Sequence, residues 1–89
     1  KFKHKGLRQL FTTGVSTGVN PKHVARLRKI TALLETAETL EDMSLPGLGL
    51  HQLKGSRQET WAVNVSGNWR ITFKIQKGDV FDVNYEDYH

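Results

Sequence analysis

Halfway along this 89-residue chain the apolar side chains change their spacing, and that change limits what the chain can fold into. Up to Ala37 apolar residues recur at helical spacing; from Trp61 onward they alternate, as a half-buried strand requires. Pro46-Gly47-Leu48-Gly49 separates the two regimes, because a proline and two glycines in quick succession end any helix. Helices first and strands second predict an α+β architecture, with two N-terminal helices packed on a C-terminal antiparallel sheet. The length admits one domain, residues 1–89, and one modest core. A site must then lie on the surface or in a shallow groove.

Local signals refine this outline. Leu7, Leu10 and Phe11 at helical spacing, with Gly14 as a stop, predict a first helix near His4–Thr13. Asn20-Pro21 is a strong helix start, with Asn as N-cap and Pro in the first turn. Val24, Leu27, Ile30, Leu34 and Ala37 then form one apolar stripe, and Lys22, Arg26 and Lys29 occupy the opposite face. Thr39-Leu40-Glu41-Asp42 reads as a capped helical turn. Trp61, Val63 and Val65, then Trp69, Ile71, Phe73 and Ile75, then Phe81, Val83 and Tyr85 read as three strands of a meander. Turns at Ser66-Gly67 and Lys77-Gly78-Asp79 join them, and each strand places its apolar set on one face. Leu48, Leu50 and Leu53 add a preceding strand or extended segment. Trp61, Trp69, Phe73 and Phe81 fall on the strand period, which assigns them to the core rather than to a base-stacking platform.

The net charge of +4 conceals segregation. Residues 1–30 carry +8 with no acid, residues 31–49 carry −4, residues 50–77 carry +4 and the last twelve carry −4. Blocks of one sign are the footprint of a protein that meets a polyanion, with RNA or DNA first. The absence of cysteine excludes a disulfide framework and a thiolate metal site. The four histidines lack metal-ligand spacing and the acids do not cluster with them, so neither metal nor cofactor is expected. No apolar run approaches the roughly 20 residues of a membrane span, and nothing reads as a signal peptide, so a cytoplasmic protein is expected.

Three groups of residues bear chemistry. The first is the tail, where Asp87-Tyr88-His89 follows a strand that holds it near the body of the fold; these side chains exchange protons or hydrogen-bond a phosphate. The second is His51-Gln52-Leu53-Lys54-Gly55-Ser56-Arg57, with an imidazole for proton movement and two cations for anionic oxygens. Taken alone this segment reads more often as a solvated loop. The third is Arg70, mid-strand and opposite the apolar stripe, with Thr72 and Lys74 on the same face, which is expected to be a polar, cationic surface able to receive a nucleic-acid backbone; its planar guanidinium grips a phosphate in a way that lysine does not. In isolation a mid-strand arginine more often stacks over its neighbours. His4 and His23 read as surface residues.

Phe2-Lys3-His4-Lys5-Gly6-Leu7, His51-x-Leu53-Lys54-Gly55-x-Arg57, Asn68-Trp69-Arg70-Ile71-Thr72-Phe73 and Asn84-Tyr85-Glu86-Asp87-Tyr88-His89 together resemble the HigB toxins of bacterial toxin–antitoxin pairs, in the RelE superfamily. The resemblance spans essentially the whole chain. It implies a microbial-ribonuclease-like α+β fold and a ribosome-dependent endoribonuclease that cuts mRNA in the decoding A site of the 70S ribosome. It also implies neutralisation by a HigA-type helix-turn-helix antitoxin, through which alone the toxin would meet operator DNA. Matching positions put the catalytic set at His51, Lys54, Arg70, Asp87, Tyr88 and His89. RNA-binding cations are expected at Lys54, Arg57, Lys74, Lys22, Arg26 and Lys29. The chain departs from the family pattern at Gln58-Glu59-Thr60 and at Ser66-Gly67, and the resemblance implies a first strand expected to begin before Lys1.

The chemistry fits these residue types. Cutting RNA without a metal means deprotonating a 2′-hydroxyl, stabilising a dianionic phosphorane and protonating the departing 5′-oxygen. Imidazoles at His51 and His89 suit the proton transfers, Arg70 and Lys54 suit the charge, Asp87 orients an imidazole and Tyr88 contacts the nucleotide. Two other classes compete: a non-catalytic RNA- or ribosome-binding module that only blocks translation, and a DNA-binding regulator. The second fits poorly, because the glycine-separated helices do not resemble a recognition-helix pair.

Overall fold

The computed structural model describes residues 2–87. Helix α1 (Lys5–Thr13) is capped by His4, whose ring Nδ1 accepts the Leu7 amide at 3.0 Å. That cap requires an unprotonated Nδ1, and burial lowers the His4 pKa in the same direction. The helix stops at Gly14, which turns left-handed at φ 80° and donates its amide to the Leu10 carbonyl. Gly6 lies buried against Gly18, where any Cβ would overlap the Gly18 backbone, so α1 and the 15–19 loop meet backbone to backbone.

Asn20 accepts the Lys22 amide, and Pro21 opens a single 3-10 turn (Pro21–His23) that runs into helix α2 (Val24–Thr36). Helix α2 buries Leu27, Ile30, Thr31 and Leu34, with the Thr31 hydroxyl donating to the Leu27 carbonyl at 2.8 Å. Arg28 places its guanidinium 3.3 Å from the Gly14 carbonyl, a cation at the C-terminal end of α1. The expected capped turn is present at Leu40–Met43, where Thr39 and Asp42 form a reciprocal capping box. Amides of Glu38 and Thr39 hold the Asp42 carboxyl below the usual range.

Four antiparallel strands follow in the spatial order of the chain: β1 (His51–Gln52), β2 (Trp61–Ser66), β3 (Trp69–Gln76) and β4 (Asp79–Asp87). Lys77 and Gly78, both at positive φ, make the two-residue turn between β3 and β4. The helices cover one face. Leu7 and Leu10 from α1, Leu27, Ile30 and Leu34 from α2, and Met43 and Leu48 from the connection meet Val63, Val65, Ile71, Phe73, Val83 and Tyr85 in one apolar cluster.

Three expectations are overturned by packing. Phe81 does not share a face with Val83 and Tyr85. Asp82, at φ 53°, inserts a bulge that shifts the β3–β4 register between Thr72 and Lys74. Phe81 thereby pairs with Lys74, and Val80, opposite Ile75, packs on the core instead. Neither His4 nor His23 is a plain surface residue. His23 is buried, with Nδ1 2.6 Å from the Tyr85 hydroxyl, and its ring meets Trp69 edge-on at 5.6 Å; the His4 ring meets Tyr85 at 5.2 Å. Burial raises the Tyr85 pKa, and the same hydroxyl accepts the Asn20 amide at 3.4 Å.

The third concerns the far face of the sheet. It is not an open cationic surface, because Arg70, Thr72 and Ala62 on it are 8%, 1% and 0% exposed. The 53–60 segment lies over it, with Leu53 and Thr60 buried and the Leu53 amide donating to the Thr60 carbonyl.

Candidate active site

One end of the covered face opens into a groove of about 800 Å³. His51, Lys54, Arg70 and Asp87 all line it, together with Arg57, Glu86, Trp69, Asn64 and Asn68. Residues from three separated stretches of sequence thus reach one space. Tyr88 and His89 lie outside the described residues.

Each groove side chain has a distinct structural reason for its place. His51 sits on β1 opposite Ala62, exposed to the groove, with Nδ1 2.8 Å from the Gly49 carbonyl. A carbonyl only accepts, so Nδ1 carries the proton, which leaves Nε2 as the nitrogen free to exchange one. Lys54 precedes the 3-10 turn Gly55–Arg57 and is exposed. Arg70 stands on β3 between Asn64 of β2 and Glu86 of β4, with Nη2 3.8 Å from Glu86 Oε1. Asp87 ends β4 opposite Trp69.

Glu86 is the residue that sequence reasoning left without a role. Arg57 donates to it with both prongs, Nη1 to Oε1 at 3.0 Å and Nη2 to Oε2 at 2.7 Å. The Thr72 hydroxyl adds a bond at 2.8 Å and the Asn84 amide one at 3.3 Å. Arg57 first, then Thr72 and the charge of Arg70, hold the Glu86 carboxyl down to about 2, while Glu86 raises the Arg57 pKa. The signal was present in the sequence: Asn84 and Glu86 alternate with Tyr85, which puts Glu86 on the face of Arg70 and Thr72.

This pairing gives the stability a definite acid dependence. The folded pKa of Glu86 lies below its ordinary value of 4.5, so the stabilisation is complete above about 4.5 and is lost as pH falls toward about 2. Glu86→Gln is therefore expected to flatten the fall in melting temperature between those limits relative to the parent. Thermal melts across that range check this, and parallel curves for the two proteins would rule it out.

The remaining predicted cations lie elsewhere. Lys74 is 3.7 Å from Asp82 and lines a separate cavity of about 140 Å³ with Lys3 and Ser56. Arg26 reaches the Asn64 carbonyl at 2.9 Å and the Gly47 carbonyl at 2.6 Å, so it ties α2 to β2 at the rim of the groove. Lys22 and Lys29 are exposed on the helical side. Among the described residues no group of three or more histidine or carboxylate side chains is placed to hold a metal ion. None of the described helices is long and apolar enough to cross a membrane.

Two helices followed by a four-stranded antiparallel sheet give the α+β arrangement, and the sequence that folds this way matches a RelE-like toxin family. The chain belongs to the HigB-like toxins of type II toxin–antitoxin systems, whose family profile matches residues 1–89. It is 43% identical over 88 residues to a protein of Proteus vulgaris described as Endoribonuclease HigB, with 99% of this chain and 96% of that protein covered. Membership of a type II system implies an antitoxin partner.

Proposed function

We propose that the chain is an endoribonuclease toxin that cuts mRNA on translating ribosomes. The observation that carries this reading is the convergence of His51, Lys54, Arg70 and Asp87 on one groove, in a chain 43% identical to the Proteus vulgaris endoribonuclease. RNA enters with the scissile phosphate beside Arg70, whose fork takes two equatorial oxygens of the phosphorane, and Lys54, lining the same groove, adds charge. The imidazoles of His51 and His89 take the 2′-hydroxyl proton and return one to the 5′-oxygen. Asp87 orients an imidazole, and Tyr88 contacts the nucleotide. The 2′-oxygen–phosphorus bond forms as the phosphorus–5′-oxygen bond breaks, which leaves a 2′,3′-cyclic phosphate (or a 3′-phosphate after hydrolysis) and a 5′-hydroxyl end. Imidazole proton transfer makes a metal ion unnecessary to this scheme.

An open groove supplies little force to bend a flexible strand. The ribosome provides that geometry by presenting mRNA already held near an in-line arrangement. Lys22 and Lys29, outside the groove, provide the electrostatic contact with ribosomal RNA. A HigA-type helix-turn-helix antitoxin neutralises the toxin and connects it to operator DNA.

The test is cleavage during in vitro translation beside the same mRNA without ribosomes. Fragments with 5′-hydroxyl ends are expected only in the translating sample. Equal rates in both samples remove the ribosome from the mechanism. Arrested translation with intact mRNA identifies a binding module instead.

A further inference from the structure

Arg57 makes a pairing in the groove that the cleavage scheme does not use. Its position among the cations suggests a phosphate ligand, yet its fork is filled by a carboxylate. A carboxylate at the centre of a site for a polyanion weakens binding by repulsion, so its place there needs another reason.

The topology supplies one. Arg57 lies in the β1–β2 connection, on one side of the sheet, and Glu86 lies on β4 at the other. Hydrogen bonds from Leu53 to Thr60, Gln58 to Gly55 and Thr60 to Arg57 fold the connection on itself. The Arg57 fork then carries it across β2 and β3 to β4. Thr72, whose hydroxyl donates to Glu86, lies at this crossing, and Arg70 borders it from the groove with Nη2 3.8 Å from Glu86 Oε1. Glu86 has its own supports in Thr72 and Asn84, so the carboxylate is the fixed partner and the exposed Arg57 is the one that docks.

We propose that the Arg57–Glu86 pair is a latch that closes the β1–β2 connection over β3, and that both are positioning residues for Arg70 and Lys54. Arg57 acts through Glu86 and does not contact RNA. This inference rests on the cleavage reading only for its kinetic arm. Removing either partner frees the connection, weakens the Glu86 contact that positions Arg70, and loosens Lys54, which shares the connection with Arg57. The loss then falls on turnover, with the number of phosphate contacts unchanged.

Four variants test it in the full chain: Arg57→Ala, Arg57→Lys, Glu86→Gln and the double variant Arg57→Ala with Glu86→Gln. The first measurement is amide hydrogen exchange at Leu53, Gln58 and Thr60, whose bonds hold the connection. Exchange on the order of tenfold faster is expected in Arg57→Ala and Glu86→Gln alike, with the double variant no faster than the quicker single one. The second is the salt dependence of binding to a single-stranded 2′-O-methyl RNA 12-mer, which cannot be cut. A lost phosphate contact lowers the slope by about 0.7; the latch predicts an unchanged slope in Arg57→Ala. The third is the rate of 5′-hydroxyl fragment formation, where kcat should fall on the order of tenfold at unchanged KM, and Arg57→Lys should fare no better than Arg57→Ala because one ammonium cannot replace the fork.

A reduced salt slope in Arg57→Ala, or unchanged exchange in both single variants, overturns the latch. Failure of the cleavage reading looks different: the parent protein then cuts nothing, while the exchange and salt results still decide the latch.

Discussion

Arg70→Lys is expected to lose nearly as much cleavage as Arg70→Ala, on the order of 100-fold or more, the scale for removing one preorganised donor at a developing charge. Lysine keeps the charge but loses the two-pronged geometry that matches two phosphorane oxygens. The surroundings sharpen the expectation. Arg70 is 8% exposed and held mid-strand between Asn64 and Glu86, so its guanidinium is aimed in advance. A lysine there has a flexible stem and a compact, strongly hydrated head, which a nearly closed position disfavours. Folding should survive, because Glu86 retains both prongs of Arg57 and the Thr72 hydroxyl when Arg70 is gone. The measurement is the rate of 5′-hydroxyl fragment formation on translating mRNA, with circular dichroism and thermal melting as controls. Parent activity in Arg70→Lys shows that charge alone suffices. Parent activity in a folded Arg70→Ala excludes the residue from catalysis.

His51→Ala and His89→Ala should each lower cleavage on the order of 100-fold or more, the usual weight of a positioned acid or base. The double variant should be far less damaged than the product of the two single losses, because residues that act as one unit are not additive. For His51 the structural basis is its Nδ1 bond to the Gly49 carbonyl, which fixes the tautomer and leaves Nε2 on the groove side. For His89 the basis is the tail motif and the family resemblance. His51 is exposed, so its replacement should move folding stability by no more than about 0.5 kcal/mol. The pH dependence of turnover assigns the roles: loss of the basic limb with one histidine and of the acidic limb with the other separates acid from base. A His51→Ala protein that melts normally and cuts at the parent rate would shift both proton transfers to the tail.

Much of the fold was legible because the signals that set it are local. Asn20 before Pro21, Gly14 after the first apolar stripe and the Thr39–Asp42 box each act within four residues, so their partners are visible in the same short string. Period alone separated helices from strands. The candidate site was legible as chemistry, with an imidazole and a lysine in one string and an arginine and a carboxylate in two others, but each string alone reads as ordinary surface. Only the resemblance of four strings to one family joined them before the structure did.

The sequence by itself determined the helix-then-sheet order, the turns, the apolar faces of α2, β2 and β3, and the residue types available to a site, whereas Phe11 of the α1 stripe stays exposed. Tertiary structure decided which of those residues meet. One extra residue at Asp82 turned Phe81 away from the core and brought Val80 in, since side chains alternate with a period of two and a single insertion inverts everything beyond it. Packing of α2 on the sheet buried His23 against Tyr85 and set Arg26 on the Asn64 carbonyl. The folding of the 53–60 segment over β3 joined Arg57 to Glu86 across 29 residues of sequence, with the Arg70 guanidinium beside the pair. These contacts depend on register and on loop path, which arise from many weak interactions at once, and no short string encodes them.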